Sequence, residues 1–232
     1  MRPLPEGTTG RAVARAARGT RAHRRPRRRG AAARPARLIG AIVAGGGSVR
    51  FGGAPKGLLR VGDRRIIDTI ASALQPVTSE IVVVSNAEDA EAWLPGARIV
   101  RDVRQEHGSL VGIHSALSAA TDAALVVAWD MPFVNPGLFA LIRDRLSDRD
   151  AAVPEGPHGL EGLCAAYSTR CLPAIEAALD AGDLRVSALV ARLLSLRTIP
   201  AADLTAAGDP SRMFFNVNTA ADLELAGRLA TS

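Results

Sequence analysis

The sequence predicts an α/β fold of three layers: a Rossmann-like, mostly parallel central sheet covered by helices on both faces. Three observations carry this. Short, nearly continuous apolar runs (38–43, 80–85, 123–128) read as strands buried on both faces. Segments of helical spacing, such as 64–74 and 137–146, alternate with them. Polar residues, Asn86, Asp102 and Asp130, stand where 80–85, the further strand-like stretch 97–101 and the run opening at Ala123 end, the edge at which an open parallel sheet collects its ligands.

At 232 residues and 47% hydrophobic, the chain suits one sizeable domain, assigned to residues 38–232. Residues 1–37 differ in kind. They hold twelve Arg and one acid, a net charge of +11, whereas the remainder holds 17 basic and 22 acidic residues, a net of −5. Rich in Arg, Ala, Pro and Gly and without apolar periodicity, this tail is expected to be disordered, as a solvated extension or the product of a start codon set too early. Binding of nucleic acid through the tail is a second reading. Aromatic residues are only 3% of the chain and absent from the tail, which argues against stacking on single strands. No run reaches 18 uninterrupted apolar residues, so no membrane span is expected and the location expected is cytoplasmic. Cys164 and Cys171, without metal-type spacing, read as thiols in a reducing compartment.

The first strand, 38–43, runs into a glycine-rich loop in which Gly45, Gly46, Gly47, Gly52 and Gly53 fall within nine residues. Residues without Cβ let backbone N–H groups approach a phosphate, and Arg50 and Lys56 add charge, so Val43–Lys56 reads as an anion cradle. Lys56 is the single Lys among 29 basic residues. In a chain that otherwise uses Arg, a lone Lys marks a site suited to a compact ammonium rather than a planar fork. Two familiar phosphate motifs are excluded: the P-loop needs Lys followed by Ser or Thr, but Gly57 follows Lys56, and G-x-G-x-x-G fails where Arg50 replaces the third glycine.

Further along, 64–74 reads as a helix closed by Pro76, 80–85 and 97–101 as strands ending at Asn86 and Asp102, and 108–120 as a helix. Gly108 and Gly112, costly inside a helix, are assigned to close approach of a ligand at its first turn. His107 and His114, with no carboxylate partner in sight, read as loop or surface residues. The strand 123–128 leads to Asp130, a carboxylate costly to desolvate unless a cation meets it; Mg²⁺, held by one or two carboxylates plus substrate phosphates, is the cofactor expected there. A helix over 137–146 and a strand over 151–154 follow, then a mobile loop over 155–163, a strand over 163–167 and helices over 172–179 and 186–194. Arg185 reads either as a solvated helix start or as a contact to an anionic acceptor. Residues 214–218 read as a strand presenting Asn216 and Asn218 on one face, and Thr219 with Asp222 as a capping box opening the helix 220–229.

Several of these stretches share a resemblance. Residues 43–58 resemble the loop (L/V)AGG-x-S-x-R-(M/F)-G…K-G-L with which nucleotidyltransferases of GT-A-like, Rossmann-type fold wrap a triphosphate; Pro55 stands where an acid is often found. Residues 108–113 resemble G-P-L-x-G-(I/M), with Ser109 for Pro. The run Asp130-Met131-Pro132-Phe133 resembles the family's D-(M/T)-P-(F/Y) metal site, and Trp129 replaces a residue often Cys, a change expected to matter little. Residues 214–219 resemble the F-x-N-V-N-T-P-E-D-L terminus of molybdenum cofactor guanylyltransferases, the MobA family, with Ala220 for Pro; cytidylyl-transferring relatives typically carry Asp-Ile-Asp-Thr here.

The resemblance implies transfer of GMP from GTP to molybdopterin or molybdenum-molybdopterin with release of pyrophosphate, and allows transient contact with molybdenum-insertion and molybdoenzyme-maturation proteins. It implies Lys56, Arg50 and Asp130 as catalytic residues and Asp130 as the Mg²⁺ ligand. Val43, Ala44, Gly45, Gly46, Gly47, Asn86, Asp102 and Gly108 complete the nucleotide site, with Asp102 on guanine; Asn216, Asn218 and Arg185 face the acceptor. Glu161 stands where relatives often have His. A cytidylyltransferase or another nucleotidyltransferase is the alternative within the same fold.

Overall fold

The computed structural model describes residues 37–45, 55–104, 106, 108–193 and 195–231. In chain order the strands are β1 (Leu38–Val43), β2 (Arg60–Val61), β3 (Arg64–Arg65), β4 (Ile81–Val84), β5 (Arg98–Val100), β6 (Ala123–Ala128), β7 (Ala151–Gly156), β8 (Gly159–Leu160), β9 (Cys164–Ser168) and β10 (Leu196–Ile199). The helices are α1 (Ile66–Leu74), α2 (Ser109–Ser118), α3 (Pro136–Leu146), α4 (Leu172–Asp180), α5 (Val186–Arg192), α6 (Ala201–Leu204), α7 (Pro210–Met213) and α8 (Ala220–Ala230).

The main sheet runs β10-β7-β9-β6-β1-β4-β5, with β8 paired to β7 as a hairpin arm; β2 and β3 form a separate two-stranded ribbon. All neighbours along the main path are parallel except β9, antiparallel to both β6 and β7. Mostly parallel with covered faces is the expected architecture. Period-two alternation in β1 divides the core: Leu38 and Ile42 face one layer, Ile39, Ala41 and Val43 the other. The first layer holds α1, α3 and α8 through Ile67, Phe139 and Ala226; the second holds α2, α4 and α5 through Ile113, Leu179 and Leu189.

From β1 the chain builds outward to β4 and β5, then returns to lay β6 on the other side of β1. Strand order therefore reverses between β1 and β6, and their carboxyl ends flank the crevice where a ligand is not blocked by a crossover.

Four expectations need correction. Residues 214–218 are not a strand: 210–213 is a short helix, and the stretch after it is an extended connection tied to the sheet edge by Val217 N donating to Asp130 O at 2.8 Å. Residues 155–163 are not a structureless loop; β7 continues to Gly156 and turns back through β8. The strand β10 went unread because its apolar and polar residues do not alternate cleanly at a sheet edge. His114 is buried, not superficial, because α2 is sandwiched between the sheet and α4, and its Nε2 lies 3.5 Å from Glu176 Oε1; His107 lies outside the described residues. The capping box of Thr219 and Asp222 forms as expected. Both cysteines are free and buried, and burial pushes the Cys171 thiol up to about 12. No described helix is long and apolar enough to cross a membrane.

Candidate active site

A cleft of about 1030 Å³ lies along one edge of the sheet, over the carboxyl ends of β1, β4, β5 and β6. Because β9 runs antiparallel, its amino end joins the same edge, where Ala128 N donates to Leu163 O at 2.8 Å. Reading across the sheet, the edge presents Asp102 after β5, Asn86 after β4, Ala44 and Gly45 after β1, Asp130 after β6, and Glu161 and Gly162 before β9.

Lys56 opens a 3-10 turn, Lys56–Leu58, whose second residue is pressed against an indole. A Cβ on Gly57 would sit 2.7 Å from Trp129 Cε3 and 3.3 Å from the Trp129 carbonyl oxygen. Trp129 is in turn stacked on Trp93, centroids 5.2 Å apart at 28°, and Trp93 Nε1 donates to Asp89 Oδ2 at 3.0 Å. The base of the lysine thus rests on a fixed plate. Its tip is fixed as well: Nζ donates to Asn218 Oδ1 at 2.9 Å and lies 3.7 Å from Asp130 Oδ2. Asn218 is held by its own N–H, which donates to Asp222 Oδ2 at 2.9 Å, so the cap of α8 also positions the lysine's partner. Burial pushes the Asp222 carboxyl up, but hydrogen bonds from Thr219 and Asn218 outweigh it and hold the group below the usual aspartate range.

Asp130 lines the cleft and turns Oδ2 toward the lysine. Burial raises its carboxyl pKa, and the Lys56 ammonium only partly opposes that shift. Oδ1 is buried and has no hydrogen-bond partner among the described residues. Native interiors rarely leave such an acceptor unmatched, and a divalent cation is the partner that a lone carboxylate beside a phosphate cradle fits. Among the described residues no cluster of three or more His, Cys, Asp or Glu could hold a metal unaided. The donor set therefore fits an ion that draws its remaining ligands from substrate phosphates and water.

At the other end, Asn86 and Asp102 form a unit. Asn86 Nδ2 donates to Asp102 Oδ2 at 2.9 Å, and Asp102 N donates back to Asn86 Oδ1 at 2.8 Å. Ser115 Oγ on α2 donates to Asp102 Oδ1 at 3.0 Å. Both carboxylate oxygens keep further lone pairs for a ligand. Gly108 is the N-cap of α2 at φ +157°, outside the helix proper, and lines the cleft. Gly112 lines the cleft beside Gly108 and serves the fold as well: a Cβ there would meet Val43 Cγ1 at 2.6 Å, so the glycine lets α2 lie directly on β1.

Of the residues the sequence singled out, the fold brings Val43, Ala44, Gly45, Asn86, Asp102, Gly108, Asp130, Arg185 and Asn216 to this one cleft. Gly46, Gly47 and Arg50 lie outside the described residues. Asn218 and Asn216 do not share a strand face: Asn218 holds Lys56, while Asn216 Nδ2 donates to Phe214 O at 3.0 Å. Arg185 pairs with Asp183 and stays exposed. Sequence reasoning missed the Trp93–Trp129 plate, Gly57 and Ser115. Trp129, taken as a replacement of little consequence, is buried beneath the lysine turn; its signal was scarcity, since the chain has only two Trp.

Comparison with known proteins places this geometry. The MobA-like NTP transferase domain family matches residues 40–197. The molybdenum cofactor guanylyltransferase of Desulfosudis oleivorans is 37% identical over 192 residues, covering 82% of this chain and 94% of that one. Among solved structures, molybdopterin-guanine dinucleotide biosynthesis protein A from Archaeoglobus fulgidus aligns with a TM-score of 0.71 at 26% identity, over 83% of this chain and 98% of that one. The 2-C-methyl-D-erythritol 4-phosphate cytidylyltransferase of Thermus thermophilus, at 21% identity and a TM-score of 0.59 over 83% and 98%, shares the fold. With the lysine, the orphaned aspartate and the strand-end carboxylate in one crevice, and the match extending over most of its length, the chain belongs to the MobA-like NTP transferase family and is a nucleotidyltransferase.

Proposed function

We propose that this enzyme is a molybdenum cofactor guanylyltransferase, transferring GMP from GTP to the terminal phosphate of molybdopterin or its molybdenum form and releasing pyrophosphate. The observation that carries the reading is the pairing of Lys56 with an aspartate whose second oxygen is buried and unmatched, at the strand-order reversal of the sheet. Guanylyl transfer is chosen over cytidylyl transfer by the relatives' names and by Asp102, because a carboxylate accepts from the adjacent N1 and N2 hydrogens of guanine, a pair that cytosine lacks.

In this reading an oxygen of the acceptor phosphate attacks the α-phosphorus of GTP, the bond to the bridging oxygen breaks, and pyrophosphate leaves with the electron pair. The chain's work is positioning and charge neutralisation, since such a transfer asks for no protein nucleophile. Asn86 and Ser115 orient Asp102 toward the base. Backbone N–H groups of Gly45, Gly46 and Gly47 and the side chain of Arg50 hold the triphosphate, and Lys56 balances the charge that collects on the departing pyrophosphate. Asp130 would hold Mg²⁺, which would supply neutralisation of phosphate oxygens. Asn216 and Arg185 lie toward the acceptor end.

The test is GMP transfer from labelled GTP with and without molybdopterin, beside thermal unfolding in Mg²⁺ with GTP or CTP. A nucleotide at 100 times its Kd stabilises by about 2.7 kcal/mol. For a chain of this size that is a Tm rise of roughly 5–10 °C. GTP is expected to give it and CTP not; the reverse order, or no acceptor-dependent transfer, refutes the assignment.

A further inference from the structure

Of the cleft carboxylates that the mechanism does not use, Asp89 is taken up by Trp93 Nε1, and Glu161 is left without a task. It sits between β8 and β9, at the end of the cleft opposite Asp102, and is half-buried. Its side chain has no hydrogen-bond or ion-pair partner among the described residues. Burial raises its carboxyl pKa, with only the nearby charge of His158 opposing. Its placement is built rather than incidental. Gly156 on β7 has no Cβ, and any Cβ there would collide with the Glu161 carboxylate and stem. On the far side, Tyr167 Oη donates to Gly162 O at 2.8 Å and fixes the backbone next to it.

The position along the sheet edge says what such an acid can meet. Asp102 follows β5 and Glu161 precedes β9, with β4, β1 and β6 between them. Four inter-strand spacings of about 4.8 Å separate the two by roughly 19 Å across the edge, with Asp130 between. A nucleotide whose base lies on Asp102 and whose phosphates lie over β1 and β6 leaves the Glu161 end to the acceptor. The acceptor in the proposed reaction carries a pterin, whose 2-amino-4-oxo pyrimidine ring has the same adjacent ring N–H and exocyclic NH₂ donors as guanine. A desolvated carboxylate is the matched acceptor for such a pair, and both bonds are charge-assisted.

We propose that Glu161 recognises the 2-amino-4-oxo edge of the pterin, so that the cleft reads its two substrates with two carboxylates, Asp102 for the base and Glu161 for the acceptor. This rests on the guanylyltransferase reading and extends it to the acceptor's ring.

The experiment measures steady-state GMP transfer to molybdopterin by the full chain and by Glu161→Gln, together with inhibition by pterin-6-carboxylate and by lumazine-6-carboxylate, which has an oxo group in place of the 2-amino group. Glutamine keeps the shape but presents an NH₂ to one of the two donors. The expected result is a KM for molybdopterin raised ten-fold or more, an unchanged KM for GTP and an unchanged Tm rise with GTP. The parent should be inhibited more by the pterin than by the lumazine, and the variant about equally by both. An unchanged acceptor KM in an active variant overturns the proposal. So does a fall in kcat with a raised Mg²⁺ requirement and unaltered acceptor KM, which would place Glu161 with Asp130 at the cation. A parent enzyme that transfers no GMP to molybdopterin refutes the function itself, an outcome distinguishable from either of these.

Discussion

The lysine turn can be moved by a single methyl group. In Gly57→Ala the new Cβ would lie 2.7 Å from Trp129 Cε3, whereas ordinary contact begins at 3.4 Å, so about 0.7 Å must open between turn and indole. Trp129 has little room to give, being 4% exposed and stacked on Trp93, and behind Cε3 stand its Cδ2 at 3.2 Å and its own backbone oxygen at 3.3 Å. The turn must therefore retreat and take Lys56 Nζ with it, away from Asn218 and Asp130. Misplacement of a catalytic group by 1 Å costs about 10²-fold. For about 0.7 Å we expect kcat to fall by roughly 10- to 100-fold, about 1.4–2.7 kcal/mol of transition-state stabilisation. The assay is kcat at saturating GTP and acceptor, with Tm as a check on folding. Gly227→Ala in α8 is the control, since nothing lies within 4 Å of its Cβ. There the same substitution should leave kcat alone and stabilise by up to about 1 kcal/mol, a Tm rise of roughly 2–4 °C. A Gly57→Ala enzyme within two-fold of the parent, with unaltered Tm, would refute the argument that the indole plate sets the lysine's position.

Two further substitutions and a truncation probe the site and the tail. Lys56→Arg keeps the charge, but the fork cannot reproduce a single donor held 2.9 Å from Asn218 Oδ1 on a pinned turn; turnover should drop ten-fold or more, and near-normal turnover would show that charge alone suffices. Asp130→Asn should cost at least 10²-fold in turnover while leaving the Tm of the metal-free protein at pH 7 equal to or above the parent's. The sign follows from burial: the folded carboxyl holds its proton more tightly than the unfolded one. Its contribution to stability therefore falls as pH rises from the unfolded pKa through the higher folded one, and the difference between the two proteins should vanish at low pH. A lower Tm at neutral pH would mean that attraction to Lys56 exceeds the burial cost. Deleting residues 1–36 should leave turnover and Tm unchanged, measured on the purified truncated chain.

The parts of this molecule legible in the sequence are those governed by local pattern. The apolar runs of β1, β4 and β6 are continuous because both faces are buried, and Thr219 and Asp222 announce a cap by spacing alone. Asp130 was legible because a polar residue ending a buried strand has few structural uses, and Asp102 because it ends the strand read over 97–101. The rest depends on distance along the chain. Trp93 and Trp129 meet only because β5 and β6 lie on opposite sides of β1 and β4 and the chain returns between them. Asn218 is 162 residues from Lys56, and a reading by alternation placed it on a strand face when its partner lay across the crevice. The strand β10 and the β7–β8 hairpin are short, marginal in pattern and stabilised by pairing that no local window contains.

Two buried polar atoms among the described residues lack partners, Asp130 Oδ1 and His114 Nδ1, and the contrast between them identifies the one that bears on function. An imidazole nitrogen left bare costs on the order of 1–3 kcal/mol, and the other nitrogen of His114 already has Glu176 3.5 Å away, beneath α4 and within the helical layer. A carboxylate oxygen left bare costs more, and the cheapest remedy, a side-chain donor from a neighbouring strand end, is absent even though Lys56 and Asn218 have found each other within reach of it. The lysine donates to Asn218 at 2.9 Å and pairs with Asp130 only at 3.7 Å, so its cation and anion form a long ion pair without a close hydrogen bond. Held at that distance, each retains capacity for charges of opposite sign on an incoming group: phosphate oxygens for the ammonium, a divalent ion for the carboxylate. A close, hydrogen-bonded ion pair would have used that capacity internally, and the capacity is what a triphosphate with its metal can take up.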